Sequence, residues 1–305
     1  MRFDSVLCGF IPEPRGRDGL ALAMLLARRA HGRLTVATVQ PPSWSTPGPA
    51  RAEAYAWRAY LKEQAEATLA QARSLAGDEA EYVVQAGRGS GRGLVELARR
   101  RGADVVVIGS APGGARGRIG VGSTADQLLH SSTVPVLLAP RGYAQDPPPA
   151  FDRLTVAYRR GPGADAAVAR AARAAVALDL PLRLVTMVVT HGFGGGGATG
   201  PGAAVGGGGR RAGAGQEMLA RLREQAAADL RVAARGQRRR CQVEVEVLEG
   251  RTIAQALRAA SWLPGELIIC ASSETGPLRR VFLGDTSLKI VRAATRPVMI
   301  LTRQP

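Results

Sequence analysis

Residues 3–10 read Phe-Asp-Ser-Val-Leu-Cys-Gly-Phe, and residues 151–158, which lie 148 positions later, read Phe-Asp-Arg-Leu-Thr-Val-Ala-Tyr. Further along, residues 103–109 (Ala-Asp-Val-Val-Val-Ile-Gly) are matched 162 positions later by residues 265–271 (Gly-Glu-Leu-Ile-Ile-Cys-Ala). A repeat of this size predicts two similar domains in tandem. The wider spacing of the later match places about 14 additional residues in the middle of the second domain.

Short apolar runs alternate with helical segments throughout the first half of the chain. We expect strands at Ser5–Phe10, Leu34–Val39, Glu81–Gln85, Val105–Ile108 and Val136–Leu138, and helices at Leu20–Arg29, Ala52–Leu75, Leu94–Arg101 and Gly122–His130. Strands rich in Val and Ile without polar alternation, each followed by a helix, are typical of a parallel sheet covered on both faces. Right-handed crossovers then give a doubly wound α/β domain.

The second half repeats this order. We expect strands at Leu154–Tyr158, Leu182–Val189, Val243–Leu248, Leu267–Cys270 and Val298–Leu301, and helices at Ala164–Leu178, Glu217–Arg235, Ile253–Trp262 and Leu283–Ala293. The predicted organisation is a first domain at 1–146, a proline-rich linker at 147–150 and a second domain at 151–305. Within the second domain, the glycine-dominated stretch 192–215 predicts a flexible loop, either a tolerated insertion or a lid.

Composition limits the classes of partner. The chain of 305 residues has a formal net charge of +16, and Lys62 and Lys289 are its only lysines. Arginine in such excess suits an anionic partner, but the few aromatic residues are not interleaved with the basic runs, so we do not expect nucleic acid binding. Three cysteines make no disulfide framework, and no leader or apolar stretch of about 20 residues is evident. We therefore expect a cytoplasmic protein that does not enter a membrane.

The loop after the fourth strand is the candidate ligand site, since ligands of doubly wound sheets lie beyond the carboxyl ends of the strands where strand order reverses. Its glycines allow backbone amides to approach an anion, and a helix that begins at Gly122 favours phosphate at its N-terminus. Arg116 and Arg118 could add charged contacts. The alternative is that the glycines form a tight turn and let the helix pack on the sheet. The candidate residues are Gly109, Gly113, Gly122, Ser123 and Thr124.

This loop and the order of elements resemble the universal stress protein (UspA) family, in a tandem form. Nucleotide-binding members of that family carry Gly, two residues, Gly, nine residues, then Gly and Ser or Thr; here the frame runs from Gly109 through Pro112 to Gly122-Ser123. The ending VPVLLAP at 134–140 and its counterpart RPVMILT at 296–302 agree with the resemblance. It implies two UspA-type domains, flavodoxin-like or Rossmann-like, that act as a stress-response regulatory or interaction module.

The first domain departs from the nucleotide-binding pattern at two places. Pro112 replaces the middle glycine and offers no N–H to a phosphate, although Gly113 would supply one after a shift of one residue. ATP-binding members also resemble one another in an acidic residue that ends the first strand, where this chain has Phe10 or Ile11. The resemblance therefore leaves ATP as a cofactor of the first domain only, with an ATP-binding, weakly hydrolysing switch as the alternative function.

The second domain departs further. Its version of the loop begins Ala271-Ser272-Ser273-Glu274 and ends Gly284-Asp285, and Arg159 ends its first strand. Glu274 and Asp285 put negative charge where phosphate oxygens would lie. We expect no nucleotide there.

The remaining motifs indicate neither a metal centre nor an enzyme. His31, His130 and His191 are scattered, and neither they nor the cysteines have the spacing of metal ligands. No nucleophile or paired acid and base stands out, so we expect no catalytic residues. The glycine-rich segment 87–93 is interpreted as a flexible turn. The last strand of each half is an apolar sheet edge that needs to be covered. The resemblance implies that such edges pair with one another, here within the chain as a pseudo-dimer, and a homodimer of the whole chain could form in addition.

Overall fold

The computed structural model describes residues 1–42, 51–190, 208–271 and 285–302. Its strands are β1 Ser5–Gly9, β2 Arg33–Gln40, β3 Glu81–Ala86, β4 Val105–Gly109, β5 Val136–Ala139, β6 Arg153–Ala157, β7 Leu182–Val189, β8 Val243–Gly250, β9 Glu266–Ala271 and β10 Val298–Leu301. Its α-helices are α1 Pro14–Ala30, α2 Arg51–Ala76, α3 Ser90–Arg101, α4 Ser123–Ser131, α5 Ala164–Ala177, α6 Gly208–Arg235, α7 Ile253–Ala259 and α8 Asp285–Ala293.

All ten strands form one sheet in the order β3-β2-β1-β4-β5-β10-β9-β6-β7-β8. Within each half the strands are parallel, as expected when each strand returns to the sheet through a helix. The two halves meet where β5 and β10 pair antiparallel, with Leu137 opposite Met299. The doubly wound α/β prediction is confirmed, and so is the pairing of the two apolar edges within the chain.

Alternation along the strands divides the core into two layers, one on each face of the sheet. Val6 and Cys8 of β1 belong to one buried cluster, while Leu7 belongs to the other. The first cluster takes side chains from α1 and α5, and the second takes them from α3, α4, α7 and α8. Each cluster continues across both halves of the chain. A strand that is buried on both faces has few polar positions, which is why the central strands of each half are largely apolar in the sequence.

Helix α1 is longer than predicted, because it begins at Pro14 rather than Leu20. Proline suits the first position of a helix, where its missing N–H leaves no intrahelical bond unmade. Gly16 and Gly19, which weaken a helix on propensity alone, are needed here for packing. A β-carbon on Gly16 would lie 2.0 Å from the carbonyl oxygen of Ile11, and one on Gly19 would lie 2.7 Å from the backbone nitrogen of Gly109.

Two further predictions in the second half need correction. The flexible loop predicted at 192–215 overlaps α6, which already begins at Gly208, while residues 191–207 lie outside the described residues. Helix α7 ends at Ala259 rather than at Trp262. The indole N–H of Trp262 donates to the carbonyl oxygen of Leu257 at 2.6 Å. That carbonyl would otherwise accept the next bond of the helix, so the side chain of Trp262 ends it.

The second half also contains a buried ionic cluster. The Glu266 carboxylate is fully buried and lies 3.0 Å from Nη2 of Arg153 and 3.1 Å from Nη2 of Arg183. The Thr155 hydroxyl donates to the same carboxylate. In the register of the first half, Leu7 and Thr35 stand where the second half has Thr155 and Arg183. The two halves therefore share a backbone but not this part of their interior.

Candidate functional site

Strand order reverses between β1 and β4 in the first half, so the carboxyl ends of these two strands flank the candidate site. Gly109 is the last residue of β4 and faces the first turn of α1. A β-carbon on Gly109 would lie 1.9 Å from the carbonyl oxygen of Arg15. Since backbone meets backbone here, Gly109 has a packing role regardless of any ligand, and the helix N-terminus that carries Arg15 lies beside the loop.

The loop that follows β4 is closed by its own hydrogen bonds. The backbone N–H of Ala111 donates to the carbonyl oxygen of Gly120 at 2.9 Å, and the N–H of Gly120 donates to the buried hydroxyl of Ser110 at 2.8 Å. The far side of the loop is docked on the segment after β5, where the N–H of Gly117 donates to the carbonyl oxygen of Arg141. The amides of Ala111, Gly117 and Gly120 are therefore already engaged within the protein.

Gly113 lies at the exposed tip of this loop. Its φ of 89° is in the left-handed region that favours glycine, and a β-carbon added there would meet no atom within 4 Å. The neighbouring Gly114 is near the base of the loop, since its β-carbon would be 3.9 Å from the backbone nitrogen of Gly120. The tip is therefore open to solvent, whereas the base of the loop is closed.

Helix α4 begins at this loop with Gly122 as its N-cap residue, in an extended conformation. No side chain of the described residues caps the first turn. The N–H groups of Ser123 and Thr124 therefore have no partner within the helix, as is general at helix N-termini. Gly122 packs against Ala111, because a β-carbon on Gly122 would lie 2.9 Å from that of Ala111. The structure thus brings Gly122, Ser123 and Thr124 next to the base of the loop, with Gly113 further out at its tip.

The end of β1 carries no acidic residue. Phe10 is buried in the core, with its N–H bonded to the carbonyl oxygen of Ala37, and Ile11 is half-buried. The nearest acid along the chain is Glu13, the N-cap residue of α1, which forms an ion pair with Arg15 at 2.9 Å. Sequence reasoning missed this pair, although the Pro-Glu-Pro segment at 12–14 marked the start of a helix.

The second half offers less for a nucleotide. Residues 272–284, which include Glu274 and most of the corresponding loop, lie outside the described residues. Asp285 begins α8 and forms an ion pair with Lys289 at 2.5 Å. The exposed Arg159 follows β6, and its neighbour Arg160 is paired with Asp229 at 2.8 Å.

The glycine-rich segment 87–93 is a packing element rather than only a turn, which corrects the sequence interpretation. Gly91 and Gly93 lie inside α3. A β-carbon on Gly91 would lie 2.8 Å from the carbonyl oxygen of Thr124, and one on Gly93 would lie 2.6 Å from a methyl group of Val39. These glycines bring α3 close to α4 and β2, so they support the start of α4.

The thiols of Cys8 in β1 and Cys270 in β9 are buried. Burial raises the pKa of the Cys8 and Cys270 thiols to about 12, which keeps both protonated at neutral pH. His130 is exposed and lies 3.4 Å from Asp126 on the same helix. Within the described ranges, no group of three or more His, Cys, Asp or Glu side chains could hold a metal ion. The described helices include none that is long and apolar enough to cross a membrane.

Comparison with known proteins agrees with this architecture. The model of the universal stress protein family matches residues 3–140 and 150–302. A universal stress protein of Mycobacterium tuberculosis is 33% identical over 302 residues, covering 97% of this chain and 99% of that protein, and a counterpart in Mycobacterium bovis matches equally well. The crystal structure of a universal stress protein from Archaeoglobus fulgidus has a TM-score of 0.58 at 20% identity, covering 99% of this chain and 98% of that one. A functionally unknown protein from Pseudomonas aeruginosa has the same TM-score at 14% identity, with 98% of this chain and 92% of its own covered.

Proposed function

Since the chain belongs to the universal stress protein family, we propose that it is a tandem member acting as a stress-response regulatory or interaction module with degenerate nucleotide sites. The observation that supports this most directly is the closed loop after β4. Ala111 and Gly120 donate their amides inside the loop, and Pro112 has none to donate. A phosphate at the base of this loop would therefore receive no backbone N–H from Ala111, Pro112 or Gly120.

Two further observations, one in each half of the chain, support the same proposal. Phe10 occupies the core at the end of β1, where no carboxylate is available to bind a nucleoside. In the second half, Asp285 adds negative charge in the first turn of α8. A carboxylate there stabilises the helix dipole itself and repels an incoming phosphate.

An interaction role suits the exposed aromatic side chains of α2. Tyr55, Trp57 and Tyr60 are 76%, 48% and 50% exposed, and the rings of Trp57 and Tyr60 stack at 5.6 Å. Clustered exposed aromatic residues are typical of protein–protein contact surfaces. Because β5 and β10 already satisfy one another, a protein partner or a second copy of the chain would bind elsewhere than at these edges. We place this activity in the cytoplasm, where the unpaired thiols of Cys8, Cys241 and Cys270 would stay reduced.

The second candidate function is an ATP-binding, weakly hydrolysing switch that uses the first domain only. It is favoured by the uncapped first turn of α4 together with the open tip of the loop at Gly113. A helix N-terminus of this kind can accept a phosphate. In this alternative Gly109, Gly113, Gly122, Ser123 and Thr124 form the binding site, and the second domain stays empty.

Titration with labelled ATP separates the two functions. We expect no saturable binding below about 1 mM for the unmodified protein. The switch instead requires micromolar binding that is lost in Gly122→Asp but kept in Gly122→Asn. Both side chains place the same β-carbon near Ala111 and both suit an N-cap, so only the charge differs. Tight binding with this charge dependence would contradict our proposal.

A further inference from the structure

A cavity of about 140 Å³ lies between α7, α8 and β9, and the loop that follows β4 contributes Arg118 to its lining. Ile268 and Leu257 form its buried floor, and Trp262, Ala293 and Ala294 form its walls. Arg118 reaches it from the loop between β4 and α4 and donates to the carbonyl oxygen of Ala293. The cavity therefore takes residues from both halves.

The cavity exists because the second half shortens one helix. Helix α3 of the first half runs through 12 residues to Arg101, whereas α7 has 7 residues and ends at Ala259. The indole N–H of Trp262 donates to the carbonyl oxygen of Leu257, and the helix ends there. No aromatic residue occurs between residues 90 and 103, the corresponding part of the first half. This space is thus a feature of the second half and not of the repeated unit.

The charge around the cavity is positive. The backbone carbonyls at the surrounding helix ends already have donors, since Arg118 bonds Ala293, Trp262 bonds Leu257, and Arg183 bonds Ser261 at 3.1 Å. Arg183 also lies over the Trp262 ring, 4.7 Å from its centroid. Among the described residues, neither Arg118 nor Arg258 at the rim forms an ion pair with a carboxylate. Two guanidinium groups thus border an apolar space, with no counter-ion among the described residues.

From this geometry we infer that the cavity binds a small aromatic carboxylate, with the ring against Trp262, Leu257 and Ile268 and the carboxylate at Arg118 and Arg258. The size agrees, because an apolar cavity of about 150 Å³ takes up a single benzene ring. It is too small for a nucleotide, which needs a site of several hundred Å³. Planar guanidinium groups are the side chains best suited to pair with a carboxylate. This site takes Arg118 from the loop after β4 but none of the candidate residues Gly122, Ser123 and Thr124, so its test is independent of nucleotide binding at the start of α4.

Calorimetric titration of the full chain with sodium benzoate tests the inference. We expect saturable millimolar or tighter binding with one benzoate per chain, and at least about 10-fold weaker binding of benzyl alcohol, which keeps the ring and lacks the charge. The variant Arg258→Glu should weaken benzoate binding at least about 10-fold and leave benzyl alcohol unaffected. Since Arg258 is exposed, this change should not impair folding, which circular dichroism would verify.

A second pair of measurements locates the ligand. In a variant that retains Trp262 as its only tryptophan, benzoate should change the fluorescence, while Gly122→Asp should leave its affinity unchanged. Three outcomes would overturn the inference: no binding up to about 10 mM, equal affinity for Arg258→Glu, or loss of binding in Gly122→Asp. The last outcome would place the anion at the start of α4 instead of in the cavity.

Discussion

At the residue scale, Gly109 shows how a position can fit a ligand motif and still be fixed by packing. Its β-carbon position is occupied by the carbonyl oxygen of Arg15, so Gly109→Ala forces two backbones apart. We expect it to lower the free energy of unfolding by about 1–3 kcal/mol. Gly161→Ala is the matched control, because an added β-carbon there meets nothing within 4 Å. Urea unfolding followed by circular dichroism measures the free energy of unfolding of both variants. Equal values would contradict the prediction, because they would mean that the backbones of Gly109 and Arg15 move apart without loss of stability.

The three thiols give a second prediction at this scale. Burial raises the pKa of Cys8 and Cys270 from 9.0 to about 12, whereas Cys241 is half-buried and its pKa is raised less. At pH 9 the buried thiols of the native protein therefore stay protonated, whereas those of the unfolded chain are substantially ionised. Because the folded-state pKa values are the higher ones, this contribution to stability is complete below pH 9 and is lost as the pH rises towards 12.

Labelling with iodoacetamide at pH 9, read by peptide mass spectrometry, should accordingly modify Cys241 first. Cys8 and Cys270 should react only as fast as the protein unfolds, and urea should equalise the three rates. If either buried thiol reacted as fast as Cys241 in the native protein, the packing of β1 or β9 would differ from that described.

At the element scale, the ionic cluster that joins β6, β7 and β9 is expected to be essential to the second half. Glu266→Leu removes the buried carboxylate that Arg153 and Arg183 share and leaves them only the partly exposed Glu244 and Glu246, which should cost about 3 kcal/mol. The matched control is Asp179→Asn, which removes the ion pair between Asp179 and Arg29. The Asp179 side chain is 97% exposed, so this change should lower stability by less than about 1 kcal/mol. Asparagine also tolerates the left-handed backbone at this position. Thermal unfolding measures both changes, and a small effect of Glu266→Leu would mean that Glu244 and Glu246 are sufficient partners for the two arginines.

The elements also show how much the sequence could predict. Strands β7 and β10 were predicted to the residue, because apolar runs bounded by proline, glycine or polar residues depend on local patterns. The end of α7 was not, since it depends on a hydrogen bond from Trp262 that no periodicity encodes. The candidate site was likewise predicted only in part. The motif located the loop after β4, but its closure by Ser110 and Gly120 rests on tertiary contacts.

At the scale of the whole molecule, the two halves share one sheet and two continuous core layers. The β5–β10 pairing is supported by contacts between the halves: Arg29 donates to the carbonyl oxygen of Asp179 at 2.7 Å, and the Thr302 hydroxyl donates to that of Thr133 at 3.2 Å. Unfolding one half would expose an apolar strand edge and part of each core layer on the other. Because that exposure is unfavourable, each half should be more stable when the other half is folded, whichever residues form the linker between them.

Equilibrium unfolding in urea should therefore be a single transition. In a variant that keeps Trp262 as its only tryptophan, fluorescence reports on the second half, while circular dichroism reports on the helices of both. The two probes should give the same midpoint, which is the test for cooperative unfolding. If the halves were energetically independent, circular dichroism would show two steps and Trp262 would follow only one of them. That result would mean that the shared sheet holds the halves side by side without making the stability of one depend on the other.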